Sequence, residues 1–147
     1  IAKSNLINHA AQFGVDRDRL LFTKRVHPSM YRNQLSLCDV FLDAFPYGSG
    51  ATARDVLHVN LPMITKPGNT MMSRLSSHML TELGMGQLVA KNVTEYVERA
   101  VELYQDKNKV IEIKKEIRSN KSRSRLYDAN SFVDDFYNKI ANVFKNK

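Results

Sequence analysis

The sequence has no tryptophan and a single cysteine among its 147 residues. A lone cysteine cannot form a disulfide within the chain, so a fold held together by internal disulfides is excluded. Cys38 lies in the apolar run from Leu37 to Leu42, which predicts a small buried side chain. No signal peptide is visible at the start of the sequence. A reducing compartment fits both observations, and we expect a cytoplasmic protein, with the nucleus as an additional location.

Long hydrophobic runs are also missing. A charged or turn residue interrupts every apolar stretch well before the roughly 20 residues needed to cross a bilayer, so we expect no membrane partner. A chain of this length can bury one core of ordinary size, and no internal repeat or low-complexity linker divides it. We therefore predict one domain over residues 1–147. The first residue is not Met, so we expect this domain to be a fragment of a longer protein.

What the sequence does contain is a regular alternation of short apolar runs with amphipathic segments. Strands are predicted near residues 19–23, 39–43, 62–65 and 88–90, with helices between them. Two further helices are predicted near residues 107–119 and 131–145. Short strands that are joined through helices pair in parallel, with right-handed crossovers. The predicted fold class is therefore α/β, a Rossmann-like open parallel sheet with helices on both faces.

The net charge of +7 is concentrated in the C-terminal segment. Residues 107–147 hold 11 Lys and Arg against 5 Asp and Glu, an excess of six positive charges. A basic segment can bind nucleic acid, but this one has helical charge spacing and no aromatic residues interleaved for stacking on bases between Lys107 and Arg125. We favour a solvated helix face and keep a non-catalytic nucleotide- or RNA-binding module as the rival interpretation.

One loop has the composition of an anion site. In open α/β sheets, ligands bind beyond the carboxyl ends of the strands, and the loop that follows Asp43 occupies that position. Gly48, Ser49 and Gly50 allow a sharp turn and a close approach of the backbone to a ligand. The helix predicted to begin near Ala51 directs free N–H groups to the same place. We predict that an anion binds there.

Three polar side chains follow in this segment at intervals of three residues. If the helix begins early enough, Ser49, Thr52 and Asp55 line one face and offer two hydroxyls and a carboxylate. Hydroxyls suit a phosphate, and a carboxylate suits the hydroxyls of a ribose. The alternative is a capping box, in which Thr52 and Asp55 only satisfy the first N–H groups of the helix. The pattern alone leaves both interpretations open.

Two common cofactor classes are not indicated. Ala53 stands where the dinucleotide fingerprint Gly-x-Gly-x-x-Gly has its last glycine, so NAD binding is not favoured. The four histidines show no ligand spacing with Cys38 or with each other, and we expect no metal site. The prediction is a protein without cofactors.

Several motifs in order resemble the protein O-GlcNAc transferase family. The stretch from Leu42 to Leu57 is similar to that family's LD-x-FPY-(small)-T-x-x-D-x-L motif. Residues 61–65, 67–74, 80–84 and 88–96 also resemble the family, in its order and at its spacing. The resemblance covers about residues 5–105 well. It extends to the plant O-fucosyltransferases (SPINDLY-like) and to the bacterial N-glucosyltransferases of the same scaffold.

The resemblance implies the C-terminal, donor-binding half of a GT-B glycosyltransferase that moves GlcNAc from UDP-GlcNAc to Ser or Thr of proteins. It implies that Thr52 binds the donor diphosphate with the helix N-terminus, and that Asp55 holds the ribose and favours the O-GlcNAc branch. It also places Val26 where the family reads uracil through the backbone, and Tyr31 where a ring lies against the base. The full set expected to bind the nucleotide sugar is Val26, Tyr31, Gly48, Ser49, Gly50, Ala51, Thr52 and Asp55.

The family pattern also has departures here. Gly50 and Ala51 replace a His and a Thr, and Pro28 replaces a Lys, so GDP-fucose or UDP-glucose donors remain alternatives, as does an interaction domain with a vestigial pocket. The family's phosphate-contacting Lys and its acceptor-side His residues have no counterpart in this chain. We therefore expect no catalytic residue in the fragment and no transfer by the fragment alone. The expected partners are a UDP-sugar, a protein acceptor, and the N-terminal catalytic half with TPR repeats of the same protein.

Overall fold

The computed structural model describes residues 1–145 and divides the chain into two compact units, residues 1–31 and residues 32–147. Seven α-helices and two short strands are present in the described part. The helices are α1 (Ala2–Gln12), α2 (Pro28–Ser36), α3 (Ala51–His58), α4 (Met71–Glu82), α5 (Val93–Gln105), α6 (Lys107–Lys121) and α7 (Ala129–Lys145), and the strands are β1 (Phe41–Leu42) and β2 (Met63–Ile64).

The N-terminal unit begins with α1, which ends just before a glycine. Gly14 has a φ of +72°, and the N–H groups of Gly14 and Val15 donate to the carbonyls of Ala11 and Ala10. This is the Schellman arrangement, in which a glycine beyond the helix end satisfies the last carbonyls. Gly14 therefore terminates α1.

The strand predicted at residues 19–23 is wrong. Residues 17–19 form a short 3-10 helix, and the segment from Leu20 to His27 has no regular structure. Leu21 is 89% exposed, and the backbone N–H groups of residues 21–27 donate no hydrogen bond to a backbone carbonyl in the described part of the chain. A strand needs a hydrogen-bonded neighbour, and the structure provides none for this run.

The second unit is built around a small parallel sheet. Phe41 pairs with Met63 and Leu42 with Ile64, and α3 lies in the connection between the two strands. A single parallel bridge between Thr65 and Val89 extends the sheet on the other side of β2. The strand predicted at residues 88–90 is therefore reduced to one bridge. The two strands expected at 39–43 and 62–65 are present but shorter than predicted.

The core lies where α3, β2 and α4 meet the segment that follows α4. Its fully buried members include apolar side chains from each of these elements and from α6: Val56, Leu57, Leu61, Met63, Ile64, Leu80, Leu83, Met85 and Ile117. Burying one such side chain contributes roughly 1.5–3 kcal/mol. This packing fixes the direction of α3 relative to the carboxyl ends of the strands.

Side chains cap most of the later helices. Thr70 and Ser73 form a reciprocal capping box at α4, while Asn92 and Asp106 accept hydrogen bonds from Glu95 N–H and Lys109 N–H at α5 and α6. These caps satisfy N–H groups that a helix leaves unpaired at its start. The two predicted C-terminal helices are confirmed as α6 and α7.

The expected burial of Cys38 is wrong. The side chain is exposed, and the neighbouring Leu37 is 85% exposed. Both residues lie between the end of α2 and the start of β1, so the apolar run begins outside the sheet. Among residues 1–145, no helix has the length and apolar character that crossing a membrane requires.

Candidate functional site

The carboxyl ends of β1 and β2 bring two buried polar side chains together. Asp43 and Thr65 follow the two strands directly and are each 1% exposed. The hydroxyl of Thr65 donates to Oδ2 of Asp43 over 2.7 Å. Oδ1 of Asp43 is buried and has no hydrogen-bond partner within residues 1–145. The Asp43 carboxylate therefore depends on one side-chain hydrogen bond.

Tyr96 of α5 closes the same corner. Its hydroxyl donates to the backbone carbonyl of Asp43 over 3.0 Å, and its ring meets Phe45 edge to face at 5.3 Å between centroids. The Lys66 ammonium lies 4.9 Å from the centre of the Phe45 ring, within the range of a cation–π contact. Burial, and secondarily the charge of Asp43, raise the pKa of Tyr96 above its ordinary value. These contacts fix the beginning of the loop that residues 44–50 form.

Helix α4 supports the rest of that loop. Gly48 has a φ of +80°, and a Cβ there would lie 3.2 Å from the carbonyl oxygen of Met72. The Ser76 hydroxyl donates to the carbonyl oxygen of Ser49 over 2.8 Å. Gly48 is thus required for its positive φ and for its approach to the α4 backbone. The structure shows that Gly48 makes room for α4, and the predicted approach of a ligand to this loop stays a prediction.

Helix α3 begins at Ala51, as predicted, and Gly50 precedes it without a side-chain cap. Within the described residues, the backbone N–H groups of Ala51, Thr52 and Ala53 donate no hydrogen bond. Thr52 lies inside the first turn and does not cap the helix, so the capping-box interpretation is wrong. Three N–H groups at the positive end of the helix dipole are left for another acceptor.

Asp55 lies one turn further along α3, on the same face as Thr52. It forms a salt bridge with Arg32 of α2, with 2.9 Å between Nε and Oδ1. Neither interpretation of Asp55 from the sequence included this partner. Arg32 is 23 positions away along the chain, and no local spacing rule connects the two residues.

The predicted residues divide between the two units. Gly48, Ser49, Gly50, Ala51, Thr52 and Asp55 lie together in the second unit, between the end of β1 and the middle of α3. Ser49 precedes the helix and is held through its carbonyl, so it does not share the helical face of Thr52.

Val26 and Tyr31 belong to the N-terminal unit. Val26 is half-buried in an irregular segment, and Tyr31 lies in α2 with its N–H donating to the carbonyl of His27 over 3.2 Å. Their roles with the uracil stay predictions. Within residues 1–145, no three His, Cys, Asp or Glu side chains cluster in a way that could hold a metal ion, and the absence of a cofactor also stays a prediction.

The fold matches a solved glycosyltransferase structure. The chain superimposes on the Thermobaculum terrenum O-GlcNAc transferase mutant K341M with a TM-score of 0.83 and 24% sequence identity. The match covers 93% of this chain and 27% of that one. The predicted Rossmann-like domain of the GT-B type is confirmed.

The family model for glycosyl transferase family 41 matches residues 1–136, and the chain belongs to this family. A SPINDLY protein of Hordeum vulgare, titled "Probable UDP-N-acetylglucosamine--peptide N-acetylglucosaminyltransferase", is 35% identical over 98 residues, which cover 67% of this chain and 10% of that protein. The UDP-N-acetylglucosamine--peptide N-acetylglucosaminyltransferase of Caenorhabditis elegans is 26% identical over 143 residues, 97% of this chain and 12% of that protein. The resemblance stated from the motifs is thereby confirmed.

The chain spans only a small part of these relatives, 10% of the Hordeum vulgare protein and 12% of the Caenorhabditis elegans protein. Its family is one of protein glycosyltransferases, which confirms the predicted enzyme class at that level.

Proposed function

We propose that this chain is the donor-binding part of a family 41 glycosyltransferase that moves GlcNAc from UDP-GlcNAc to Ser or Thr of proteins. The observation that supports this proposal best is the start of α3, where three backbone N–H groups have no acceptor in the described chain and Thr52 lies beside them. A diphosphate supplies the negative charge that a helix N-terminus binds. Asp55 lies one turn away and can accept hydrogen bonds from ribose hydroxyls.

The chemistry follows from what these groups can stabilise. Cleaving the sugar–phosphate bond leaves negative charge on the departing diphosphate, and fixed N–H donors directed at that charge lower the barrier. The N–H groups of α3 need no reorganisation, because Ser76 and Gly48 fix the preceding loop against α4. In this proposal no metal takes part. The attack on the sugar requires groups outside this chain, which we assign to the upstream half of the protein, with TPR repeats before it.

The structure also bears on the RNA-binding alternative. Two lysines of the basic helix α6 are used within the fold: Lys114 Nζ donates to the carbonyl of Cys38, and Lys121 Nζ donates to the carbonyl of His58. Lys109 forms a salt bridge with Glu102. A surface that binds phosphates needs cations directed outward. These three lysines support a structural role for part of the basic charge.

The proposal is tested by nucleotide-dependent stabilisation. A ligand that binds only the folded state raises the melting temperature, so UDP is expected to raise the Tm of the chain. Asp55→Asn removes a charged hydrogen-bond acceptor, which costs about 1–3 kcal/mol of binding, and reduces the shift. Glu98→Gln is the matched control, since Glu98 is an exposed acid of α5. No shift with millimolar UDP or GDP would falsify the proposal.

A further inference from the structure

The salt bridge between Arg32 and Asp55 joins two helices at the candidate site. Arg32 lies in α2 and Asp55 in the second turn of α3. The Arg32 side chain is 43% exposed and that of Asp55 is 21% exposed. A contact of 2.9 Å between Nε and Oδ1 is a charge-assisted hydrogen bond of ordinary length.

Only one oxygen of the Asp55 carboxylate is engaged. Within residues 1–145, Oδ2 accepts no hydrogen bond, and the terminal nitrogens of Arg32 donate none. A hydrogen bond from Nε to one oxygen restrains the rotation of the Asp55 side chain and leaves its second oxygen free to accept. The Asp55 carboxylate is therefore a hydrogen-bond acceptor whose orientation is restrained by Arg32.

We infer that Arg32 is a positioning residue for the nucleotide donor: it orients the Asp55 carboxylate so that Oδ2 accepts a hydrogen bond from a ribose hydroxyl. The inference rests on the proposed function and adds to it the means by which the ribose is read. Without Arg32, the Asp55 side chain samples several rotamers and loses part of its directed hydrogen bond. Arg32 touches no reacting atom in this scheme and acts through Asp55.

If the salt bridge only stabilised the fold, its removal would change nucleotide affinities in a different way. Exposed ion pairs contribute little to stability, and removing one affects all ligands equally if it only loosens the fold. An effect transmitted through Asp55 depends on the ribose hydroxyls. UDP and 2′,3′-dideoxy-UDP have the same base and diphosphate and differ only in those hydroxyls, so their comparison separates the two cases.

The experiment is a calorimetric titration of the 147-residue chain with both nucleotides. The variants are Arg32→Gln, Arg32→Lys and Asp55→Asn. Arg54→Gln is the matched control, because it makes the same change of charge at an exposed residue next to Asp55 that forms no salt bridge in the described chain. Circular dichroism and a thermal melt establish that each variant is folded, and Arg32→Lys serves if Arg32→Gln does not fold.

Arg32→Gln is expected to weaken UDP binding by about 3- to 30-fold, the range for partial loss of a charged hydrogen bond. Its affinity for the dideoxy nucleotide should stay within about twofold of the unaltered chain's. Arg32→Lys, which keeps the charge but not the planar donor, should fall in between, and Arg54→Gln should change neither affinity. Combining Arg32→Gln with Asp55→Asn should weaken UDP binding little more than Asp55→Asn alone.

Two results overturn the inference and leave the proposed function standing: unchanged UDP affinity in Arg32→Gln, or an equal loss for both nucleotides. A third result, in which the unaltered chain binds neither UDP nor GDP, refutes the proposed function itself and the inference with it. The outcomes are therefore distinguishable.

Discussion

Replacing Thr65 by valine should destabilise the protein strongly, although the two side chains have nearly the same shape. The Thr65 hydroxyl donates the only side-chain hydrogen bond to the buried carboxylate of Asp43, because Oδ1 has no partner in the described chain. The substitution leaves both carboxylate oxygens buried without a donor. A hydrogen bond to a charged group contributes roughly 1.5–3 kcal/mol, and the upper part of that range applies because water cannot replace the lost donor.

The expected loss is about 2–3 kcal/mol in the free energy of unfolding, measured by urea titration. For a chain of this size, 1 kcal/mol corresponds to a change of roughly 3 °C in the melting temperature, so Tm should fall by about 6–9 °C. Thr65→Ser is the control: it keeps the donor and loses one methyl group, which costs about 1 kcal/mol.

A double-mutant cycle completes the test. In the background of Asp43→Asn, the Thr65→Val change should cost less than in the unaltered protein, because the buried acceptor is no longer charged. The reasoning is refuted if Thr65→Val is as stable as the unaltered protein, or if Thr65→Ser is as damaging as Thr65→Val. Either result means that the hydroxyl does not stabilise the carboxylate.

Two further predictions concern the loop after β1. Burial raises the pKa of Tyr96 above the value of 10.0 that an unperturbed tyrosine has. The unfolded tyrosine therefore ionises first, so the contribution of Tyr96 to stability is present below pH 10 and is lost as the pH rises further. The difference in unfolding free energy between the unaltered protein and Tyr96→Phe should shrink above pH 10, and a constant difference would contradict this. Gly48→Ala should destabilise the protein more than Gly14→Ala. Both sites have a positive φ, which costs about 1–2 kcal/mol for alanine, but only the new Cβ at Gly48 would meet a backbone oxygen, that of Met72, at 3.2 Å. Equal losses of unfolding free energy in urea titrations would show that this contact relaxes freely.

The sequence predicts well the features that depend on neighbours along the chain. The start of α2 at Pro28 and the end of α1 before Gly14 are explained by the restricted φ of proline and the positive φ of glycine. The start of α3 at Ala51 follows from the glycines before it. These boundaries can be read from the sequence because each rests on the conformational limits of one or two residues.

Features that depend on distant parts of the chain were missed or predicted wrongly. The apolar run at residues 19–23 has the composition of a strand, but a strand forms only where a partner pairs with it, and the sequence does not show that none is present. Cys38 was expected inside because its neighbours are apolar, yet the sheet begins three residues later. The salt bridge between Arg32 and Asp55 was missed, since the two residues are 23 positions apart. Nothing local indicates such a pair.

The two anchored lysines of α6 limit how this protein can be re-engineered. Basic surfaces adhere to nucleic acids during purification, and the usual remedy is to replace lysines by neutral or acidic residues. Lys114 and Lys121 hold the chain just beyond the C-terminal end of α2 and the last carbonyl of α3, the two helices that carry Arg32 and Asp55. A charge-reduced variant should therefore keep both, and make its substitutions at exposed positions such as Lys115 and Arg118.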